Sequence, residues 1–275
     1  MKTNKIYALV TGAGKGLGKA IASELAQKGH HLLLIAREGE NLSDLSCYLS
    51  LMYKVDVRFL EIDFLNENAL KAIEEWILPY NIDILVNNAG IGGSTFFDHS
   101  DLPGIDAILQ VNVRTLALLT RLVVYKLQQQ TTSYILNVAS MASFCPIAYK
   151  TVYPASKAFV YSFSKGLALE LKDHGVHVCI LSPGPIKTNA EVSKRIEQQG
   201  WWVKAGLWSP EKLASMTIRK MFNGQKVIIP GLINKLNWAL LKILPTTISI
   251  PIVSKAVKNE IYMVNQASPY SMSTT

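Results

Sequence analysis

Cysteine is scarce in this chain, and we expect no membrane-spanning segment in it. The three cysteines, Cys47, Cys145 and Cys179, have neither a metal-binding nor a disulfide spacing. They predict buried thiols in a reducing compartment, which favours the cytoplasm. No stretch reaches the roughly 20 consecutive apolar residues that a membrane span needs. No basic-then-apolar leader precedes the first apolar run at Ile6, so no signal peptide is expected.

Charged residues are also few, at 17% of the chain against 49% for apolar residues. This balance argues against disorder, and a length of 275 residues suits one α/β domain. The net charge of +8 is uneven, because eight Lys or Arg lie between Lys212 and the end with Glu260 as the one acid. A solvated basic rim is the simplest interpretation, with an anionic membrane surface or an acidic partner as alternatives. Nucleic acid is not expected, because no binding motif accompanies the charge.

Short apolar runs alternate with helical stretches along most of the chain. The runs lie at residues 6–10, 31–36, 83–86, 134–138, 176–180 and 227–229. Strands that are apolar on both faces and separated by helices are typical of a parallel sheet covered on both sides. The sequence therefore predicts an α/β fold with a single doubly wound parallel sheet and helices on both faces.

A glycine-rich loop follows the first of these runs and opens the first helix. Its pattern is T-G-x-x-x-G-x-G, with Gly12, Gly14, Gly16 and Gly18. Small residues let the backbone approach a pyrophosphate, and the helix N-terminus supplies N–H groups for it. Glycines also mark ordinary turns, but this position between strand and helix indicates a dinucleotide site.

The end of the second run bears on which dinucleotide is bound. NAD-binding versions of such loops usually place an acid there for the ribose 2′-hydroxyl. Here Ala36 is followed by Arg37, and Lys15 lies in the glycine loop. Two cations favour a 2′-phosphate, so we expect NADP(H) rather than NAD(H). Two surface cations are the alternative, and Glu38 and Glu40 keep NAD(H) open.

A tyrosine and a lysine stand four residues apart at Tyr153 and Lys157, with Ser140 thirteen residues before the tyrosine. On a helix, the two side chains share one face. A nearby ammonium favours phenolate and lowers the pKa of the phenol. A serine hydroxyl can hold a carbonyl or alcohol oxygen. This set is suited to moving a proton while a cofactor moves a hydride.

Three further motifs complete a family resemblance: N-N-A-G at residues 87–90, Asn112 in a V-N-V triplet, and P-G-x-x-x-T from Pro183 to Thr188. In this order and spacing, the chain resembles the short-chain dehydrogenase/reductase family from about Lys5 to about Lys226. The resemblance implies a Rossmann-like fold and an oxidoreductase acting on CH–OH or C=O groups with NADP(H).

The resemblance also implies residue roles. Tyr153 is the proton donor and acceptor, Lys157 lowers its pKa and binds the nicotinamide ribose, Ser140 binds the substrate oxygen, and Asn112 holds a water of the proton path. The implied cofactor-binding residues are Gly12, Gly14, Lys15, Gly16, Leu17, Gly18, Arg37, Asp63, Phe64, Asn88, Ala89, Gly90, Tyr153, Lys157, Pro183, Gly184, Ile186 and Thr188. No metal is expected, and we interpret the histidine pairs His30–His31 and His174–His177 as structural or exposed. The family usually forms homodimers or homotetramers.

The side chains expected around the substrate are mostly apolar. They are Phe96, Phe97, Met141, Phe144, Pro146, Trp201 and Trp202, and residues 189–209 are expected to form a lid. A hydrophobic ketone or secondary alcohol is therefore predicted rather than a charged sugar or acid. Several of these aromatic residues could instead pack the core or a subunit contact.

The chain is expected to divide at residue 230. Residues 1–230 form the dinucleotide-binding and catalytic domain, and residues 231–275 an apolar, basic extension with a short amphipathic helix. The extension is expected to pack on this domain or on a second subunit; weak contact with a membrane surface is the alternative. Two other functions remain open: a 3-oxoacyl-carrier-protein-type reductase, and a non-catalytic NADP(H) sensor, against which the intact Tyr153 argues.

Overall fold

The computed structural model describes residues 5–186 and 207–267. Within these residues a parallel sheet has the strand order β3-β2-β1-β4-β5-β6-β7. The strands are β1 Ile6–Thr11, β2 His31–Ala36, β3 Val57–Glu61, β4 Asn81–Asn87, β5 Ser133–Val138, β6 Val176–Leu181 and β7 Val227–Ile228. The predicted doubly wound α/β fold is confirmed.

Helices cover both faces of this sheet, as predicted. The helices of the described residues are α1 Gly16–Gln27, α2 Leu42–Tyr53, α3 Ala69–Ile77, α4 Leu102–Leu109, α5 Leu116–Gln128, α6 Val152–Glu170, α7 Pro210–Phe222, α8 Leu232–Ile243 and α9 Thr246–Ala267. Helices α1, α2 and α7 bury their apolar stripes against one face. Helices α3, α5 and α6 pack on the other, so the sheet lies between two hydrophobic layers.

The strand order reverses between β1 and β4, which lie side by side in the middle of the sheet. At such a switch point the loops after the two strands diverge to opposite faces and leave a crevice at the carboxyl edge. The glycine loop after β1 and the N-N-A-G segment after β4 therefore meet at this crevice. This topology explains why motifs 70 or more residues apart can form one site.

Strand β3 was not among the predicted runs. It is an edge strand in which Val57 is buried, while Arg58 and Phe59 are exposed. An edge strand needs only one apolar face, so it lacks the continuous apolar run that marks the central strands. Cys47 also differs from expectation: it is exposed, whereas Cys145 and Cys179 are buried thiols.

Helices α4 and α5 are continuous through residues 110–115, and this stretch of the described residues, Leu102–Gln128, is long and apolar enough to cross a membrane by length and composition. It is not a run of about 20 consecutive apolar residues, because Asp106, Arg114 and Arg121 interrupt it. Residues Leu119, Val123 and Leu127 of α5 are fully buried against the sheet. We therefore describe α5 as a core helix, whose apolar side chains pack on the sheet.

The extension after residue 230 forms α8 and α9, which contact the catalytic part of the same chain. Trp238 of α8 meets the Phe144 ring edge-on at 6.3 Å between ring centroids. On α9, the Ser254 hydroxyl accepts a hydrogen bond from the Ala148 backbone N–H at 2.9 Å. These contacts join the extension to the segment between β5 and α6.

Candidate active site

The glycine loop forms a cradle that only small residues allow. Gly12 and Gly16 have positive φ angles of 63° and 53°, which favour glycine. A Cβ on Gly18 would overlap the Gly12 carbonyl oxygen, so α1 begins in direct contact with the loop. Lys15, the residue before α1, makes no side-chain cap, and the first turn carries no acid. The first N–H groups of α1, near Leu17, are thus suited to a pyrophosphate.

A set of hydrogen bonds fastens this loop to the end of β4. The Thr11 hydroxyl oxygen accepts from the Asn88 and Ala89 backbone N–H groups, both at 3.1 Å. The Asn88 amide donates to the carbonyl oxygens of Thr11 at 3.0 Å and Gly12 at 3.1 Å. The Asn88 side chain therefore holds the loop in place. Sequence reasoning missed Thr11, although it stands directly before the glycine pattern.

Lys15 and Arg37 lie together at the tip of β2, as the prediction of a 2′-phosphate site requires. Both contact one carboxylate: Glu40 Oε1 lies 2.9 Å from Lys15 Nζ and 3.3 Å from Arg37 Nη2. The Glu40 side chain is only 14% exposed, and it packs on Gly14. The cluster therefore contains two cations and one acid.

Asp63 and Phe64, which the family resemblance places beside the adenine, follow the end of β3. The Asp63 carboxylate accepts from the Leu65 backbone N–H at 3.0 Å, which closes a tight turn. Phe64 is buried and lines a small cavity with Thr11 and Ala89. This turn places Asp63 and Phe64 at the carboxyl edge, next to the glycine loop.

Tyr153, Lys157 and Ser140 converge at the carboxyl edge of β5. Tyr153 and Lys157 both lie on α6, as predicted, with Lys157 Nζ 6.0 Å from the centre of the Tyr153 ring. The Lys157 ammonium donates to the Val138 carbonyl at 2.9 Å. Ser140 hydrogen-bonds the Tyr153 hydroxyl, and its Oγ accepts from the Ala142 N–H at 3.1 Å.

Burial has the largest effect on the pKa values of Tyr153 and Lys157. It raises the pKa of Tyr153, while the hydrogen bond with Ser140 acts in the opposite direction. Burial lowers the pKa of Lys157 to about 8, because a charged ammonium loses hydration there. The expected lowering of the Tyr153 pKa by Lys157 is therefore not seen, because desolvation of the phenol has the largest effect.

Asn112 lies in a π-helical turn, Gln110–Thr115, between α4 and α5. Such turns occur frequently at functional sites. Its amide donates to the Ile91 carbonyl at 2.8 Å and to the Ser156 hydroxyl at 2.9 Å, and its oxygen accepts from the Ile91 N–H. Ser156 in turn donates to the Tyr153 carbonyl. Asn112 is thus fixed against the first turns of α6.

Gly90 lies beside both Asn112 and Lys157. A Cβ on Gly90 would lie 3.1 Å from Lys157 Nζ and 3.2 Å from Asn112 Oδ1. The two polar atoms therefore border the same small space beside the glycine. Ser143, which sequence reasoning missed, donates from its hydroxyl to the Lys157 carbonyl at 2.9 Å and supports this turn of α6.

The turn after β6 lies beside the serine. The Pro183 carbonyl accepts from the Met141 N–H at 2.9 Å, next to Ser140. A Cβ on Gly184 would meet the Asn234 amide of α8, its oxygen at 2.8 Å, so the extension packs directly on this turn. Ile186 pairs with Trp208 in an isolated bridge. Thr188 and the predicted lid residues 189–206, with Trp201 and Trp202, lie outside the described residues.

Two groups of aromatic side chains, together called the aromatic wall here, involve the segment between β5 and α6. Phe96 meets the Tyr149 ring edge-on at 5.0 Å, and Tyr149 itself has a positive φ of 65°. Phe144 contacts Tyr161 and Trp238. Of the other predicted substrate residues, Phe97 is 61% exposed. Tyr149 was not predicted, because nothing in the sequence around it marks a site, whereas Trp238 belongs to the extension that was expected to pack on this domain.

The sequence profile of the short chain dehydrogenase family matches residues 6–199. This chain belongs to the short-chain dehydrogenase/reductase family. The predicted recognition is confirmed, and membership of a dehydrogenase family supports the predicted enzyme class.

Curated relatives match about two thirds of the chain. A very-long-chain 3-oxoacyl-CoA reductase-A from Danio rerio is 37% identical over 181 residues, covering 64% of this chain and 57% of the relative. A 17-beta-hydroxysteroid dehydrogenase type 3 from Mus musculus is 35% identical, covering 66% of this chain and 60% of that protein. The chain thus spans about 60% of the length of these relatives.

Solved structures match nearly the whole chain. A short-chain dehydrogenase from Sphingobium yanoikuyae in complex with NADPH has a TM-score of 0.76 at 28% identity, covering 97% of this chain and 99% of that one. The bulky-bulky ketone specific alcohol dehydrogenase from Comamonas testosteroni has a TM-score of 0.75 at 26% identity. The match covers 99% of this chain and 100% of that one. An L-sorbose reductase from Gluconobacter frateurii complexed with NADPH and L-sorbose scores 0.73 at 25% identity, but covers 85% of this chain and 99% of its own.

Proposed function

We propose that this protein is an NADP(H)-dependent oxidoreductase of hydrophobic ketones and secondary alcohols. The observation that carries the proposal is the convergence of Tyr153, Ser140 and Lys157 at the carboxyl edge of the sheet. The aromatic wall in the segment that leads into α6 adds support. Cofactor and substrate can meet there, because the glycine loop and the Pro183 turn border the same crevice. A sensor that only binds a dinucleotide has no need of the proton-transfer group.

In this proposal, the protein supplies a proton and the geometry of the reaction. The nicotinamide, when bound, supplies the hydride for reduction or accepts it in oxidation. The Tyr153 hydroxyl donates its proton to the carbonyl oxygen in reduction and takes it back in oxidation. The Ser140 hydroxyl holds that oxygen, and the Lys157 ammonium stabilises the phenolate left behind.

The proton lost from Tyr153 must be replaced from solvent. Lys157 Nζ and Asn112 Oδ1 border the same small space at Gly90. We propose that a water there links the two groups and continues the proton path, which is the role the family resemblance gives Asn112. The fixed position of the Asn112 amide, with three hydrogen bonds, supports this assignment.

The preference for NADP(H) rests on the cations at the tip of β2. Lys15 and Arg37 lie within 2.9 Å and 3.3 Å of one carboxylate oxygen, so they can also approach one phosphate. Two of the similar solved structures are complexes with NADPH. The pyrophosphate would lie on the glycine loop, with Leu17 and Gly18 at the helix N-terminus and Asp63 and Phe64 beside the adenine.

The preference for a bulky apolar substrate rests on the aromatic wall and the extension. The two structures that cover 97–99% of this chain include one specific for bulky-bulky ketones, whereas the L-sorbose reductase covers 85%. The names of the two curated relatives indicate a very-long-chain 3-oxoacyl-CoA and a hydroxysteroid as their substrates. A 3-oxoacyl thioester, on coenzyme A or a carrier protein, is therefore the second candidate substrate class.

NADPH consumption by the purified protein with a panel of bulky ketones, 3-oxoacyl thioesters and sugars tests the proposal. Replacing Tyr153 by phenylalanine removes the proton donor while keeping the ring. We expect turnover to fall about 100-fold or more, because general acid catalysis is worth that much. NADPH affinity, measured by fluorescence, should stay nearly unchanged. Turnover that survives in the variant would contradict the assigned role, and tight NADPH binding without turnover in the wild type would favour the sensor.

We also propose that α8 and α9 belong to the catalytic domain and contact an anionic membrane surface with their outer face. Their inner side carries Trp238 and Ser254, which pack on the catalytic part. Their outer side exposes apolar residues: Leu232, Leu236, Leu240, Ile243, Ile248 and Ile252. From Lys212 to Asn259 the chain has no acid. Exposed apolar side chains among lysines fit the interface of an anionic bilayer.

Flotation with vesicles tests this contact. The wild type should bind phosphatidylcholine vesicles containing phosphatidylserine better than phosphatidylcholine alone. The double variant Leu232→Ser, Ile243→Ser should bind about tenfold less, since two exposed apolar anchors are lost. Leu169→Ser, at an exposed site on α6, is the matched control. Equal binding by all three proteins would refute the contact. We propose a cytoplasmic location from the three unpaired cysteines and a homodimer or homotetramer from the family resemblance.

A further inference from the structure

The carboxylate of Glu40 occupies the centre of the cation cluster at the glycine loop. It is a salt-bridge partner of both Lys15 and Arg37 through one oxygen, Oε1. Its other oxygen, Oε2, would lie 2.7 Å from a Cβ on Gly14. The side chain is 14% exposed, whereas those of Lys15 and Arg37 are 67% and 56% exposed. The acid is thus the most enclosed member of the cluster.

This arrangement has a consequence for any phosphate that binds there. Lys15 and Arg37 are the cations proposed to hold the ribose 2′-phosphate, and a phosphate needs the same N–H donors that now serve Glu40. A bound 2′-phosphate must therefore displace these two ion pairs or share them with a carboxylate of like charge. Either way, the negative charge of Glu40 opposes a cofactor with a 2′-phosphate more than one without it.

We propose that Glu40 is an internal competitor of the 2′-phosphate and so a specificity-determining residue that weakens NADP(H) binding relative to NAD(H). The proposal rests on the proposed binding of NADP(H) at Lys15 and Arg37. It gives Glu40 a role in distinguishing NADP(H) from NAD(H), which the glycine pattern alone does not indicate. Removing its charge should increase the preference for NADP(H).

The test compares Glu40→Gln with Glu38→Gln, which removes the same charge two residues away at an exposed position. Dissociation constants for NADPH, NADH and adenosine 2′-monophosphate are measured by fluorescence and calorimetry on the full chain. We expect Glu40→Gln to lower the dissociation constants of NADPH and adenosine 2′-monophosphate about fivefold, as loss of a partly exposed like charge allows. The NADH value should change little, and Glu38→Gln should have a smaller effect on all three.

Three other results would overturn the proposal. Unchanged or weaker NADPH binding by Glu40→Gln would show that the carboxylate is neutral or arranges the cations for the phosphate. Weaker NADH binding would show that Glu40 accepts from a ribose 2′-hydroxyl instead. The variants Lys15→Ala and Arg37→Ala separate this failure from that of the proposed function. If neither weakens NADPH binding, the 2′-phosphate lies elsewhere and both proposals fall; if they do weaken it, only the role of Glu40 is refuted.

Discussion

Tyr153 and Lys157 show how burial sets the chemistry of single residues. Lys157 is buried and Tyr153 is half-buried, and desolvation moves their pKa values in opposite directions, up for the phenol and down for the ammonium. A lysine with a pKa of about 8 changes charge within the range in which enzymes are assayed. Its protonation state should therefore be visible in the rate.

Ketone reduction should slow as pH rises through about 8, because Lys157 then loses the charge that stabilises the Tyr153 phenolate. The measurement is kcat/KM for NADPH-dependent reduction between pH 6.5 and 10. Lys157→Arg is the control, because a guanidinium keeps its charge over this range and should remove the decline near pH 8. A flat wild-type profile up to pH 9.5 would argue against this role of Lys157.

Gly92 offers a way to displace the tyrosine without changing it. A Cβ at Gly92 would lie 2.6 Å from Tyr153 Cδ2, whereas a Cβ at Gly93 would meet nothing within 4 Å. We expect Gly92→Ala to lower kcat about 10- to 100-fold by moving the ring, since small displacements of catalytic groups have effects of this size. Gly93→Ala should be close to wild type, and equal activity of both variants would contradict the geometry.

At the scale of elements, strand β4 carries an irregularity next to β1. The register shifts between Tyr7 and Ala8, which pair with Ile82 and Ile84, so Asp83 is the extra residue of a bulge. Its Oδ1 is buried with no hydrogen-bond partner among the described residues. Burial raises the pKa of Asp83 to about 6, so the ionised form is disfavoured in the folded protein.

Asp83→Asn should therefore stabilise the protein at neutral pH. Because the folded pKa of this acid is raised, its cost to folding is absent below about pH 4, grows as pH rises through about 6, and persists above. We expect a gain of about 1–3 kcal/mol in the free energy of unfolding at pH 7.5 and little gain at pH 4. Urea unfolding at both pH values measures it, with the exposed Glu74→Gln as control. A gain that does not depend on pH would exclude ionisation as its cause.

Sequence predicted the elements that bury both faces and missed those that do not. The central strands stand out as apolar runs, whereas β3 at the edge is mostly exposed or half-buried and has no such run. Helix Leu102–Gln128 shows the reverse case, because its mean hydropathy resembles that of a membrane span and only its packing on the sheet reveals a core helix. The hydrophobic pattern of a strand or helix indicates that it is buried, but not whether it is buried against the sheet or in a membrane.

At the scale of the whole molecule, the fold explains which parts of the site were predictable. Motif residues such as Gly12, Asn112 and Tyr153 lie at fixed places in the switch-point topology, so their order in the sequence was enough to bring them together. The position of Glu40 between Lys15 and Arg37 depends on side-chain packing against Gly14. No spacing in the sequence encodes such a contact.

The structure adds most to the sequence analysis in the extension after residue 230. Its amphipathic pattern left packing and membrane contact open as alternatives. The structure gives α8 an inner contact, between Asn234 and Gly184 at the turn after β6, and an exposed apolar outer side. The two interpretations are thus compatible, because they concern different faces of the same helices.

The central claim is that a hydride passes between NADPH and a carbonyl carbon while Tyr153 supplies the proton. The most direct measurement is reduction of a bulky apolar ketone with NADPH deuterated at C4 of the nicotinamide, with the product analysed by mass spectrometry and NMR. The account predicts one deuterium at the carbinol carbon, none at the hydroxyl after work-up in water, and almost no product from Tyr153→Phe. Unlabelled alcohol from both stereospecifically labelled forms of the cofactor, or full turnover by the variant, would contradict it.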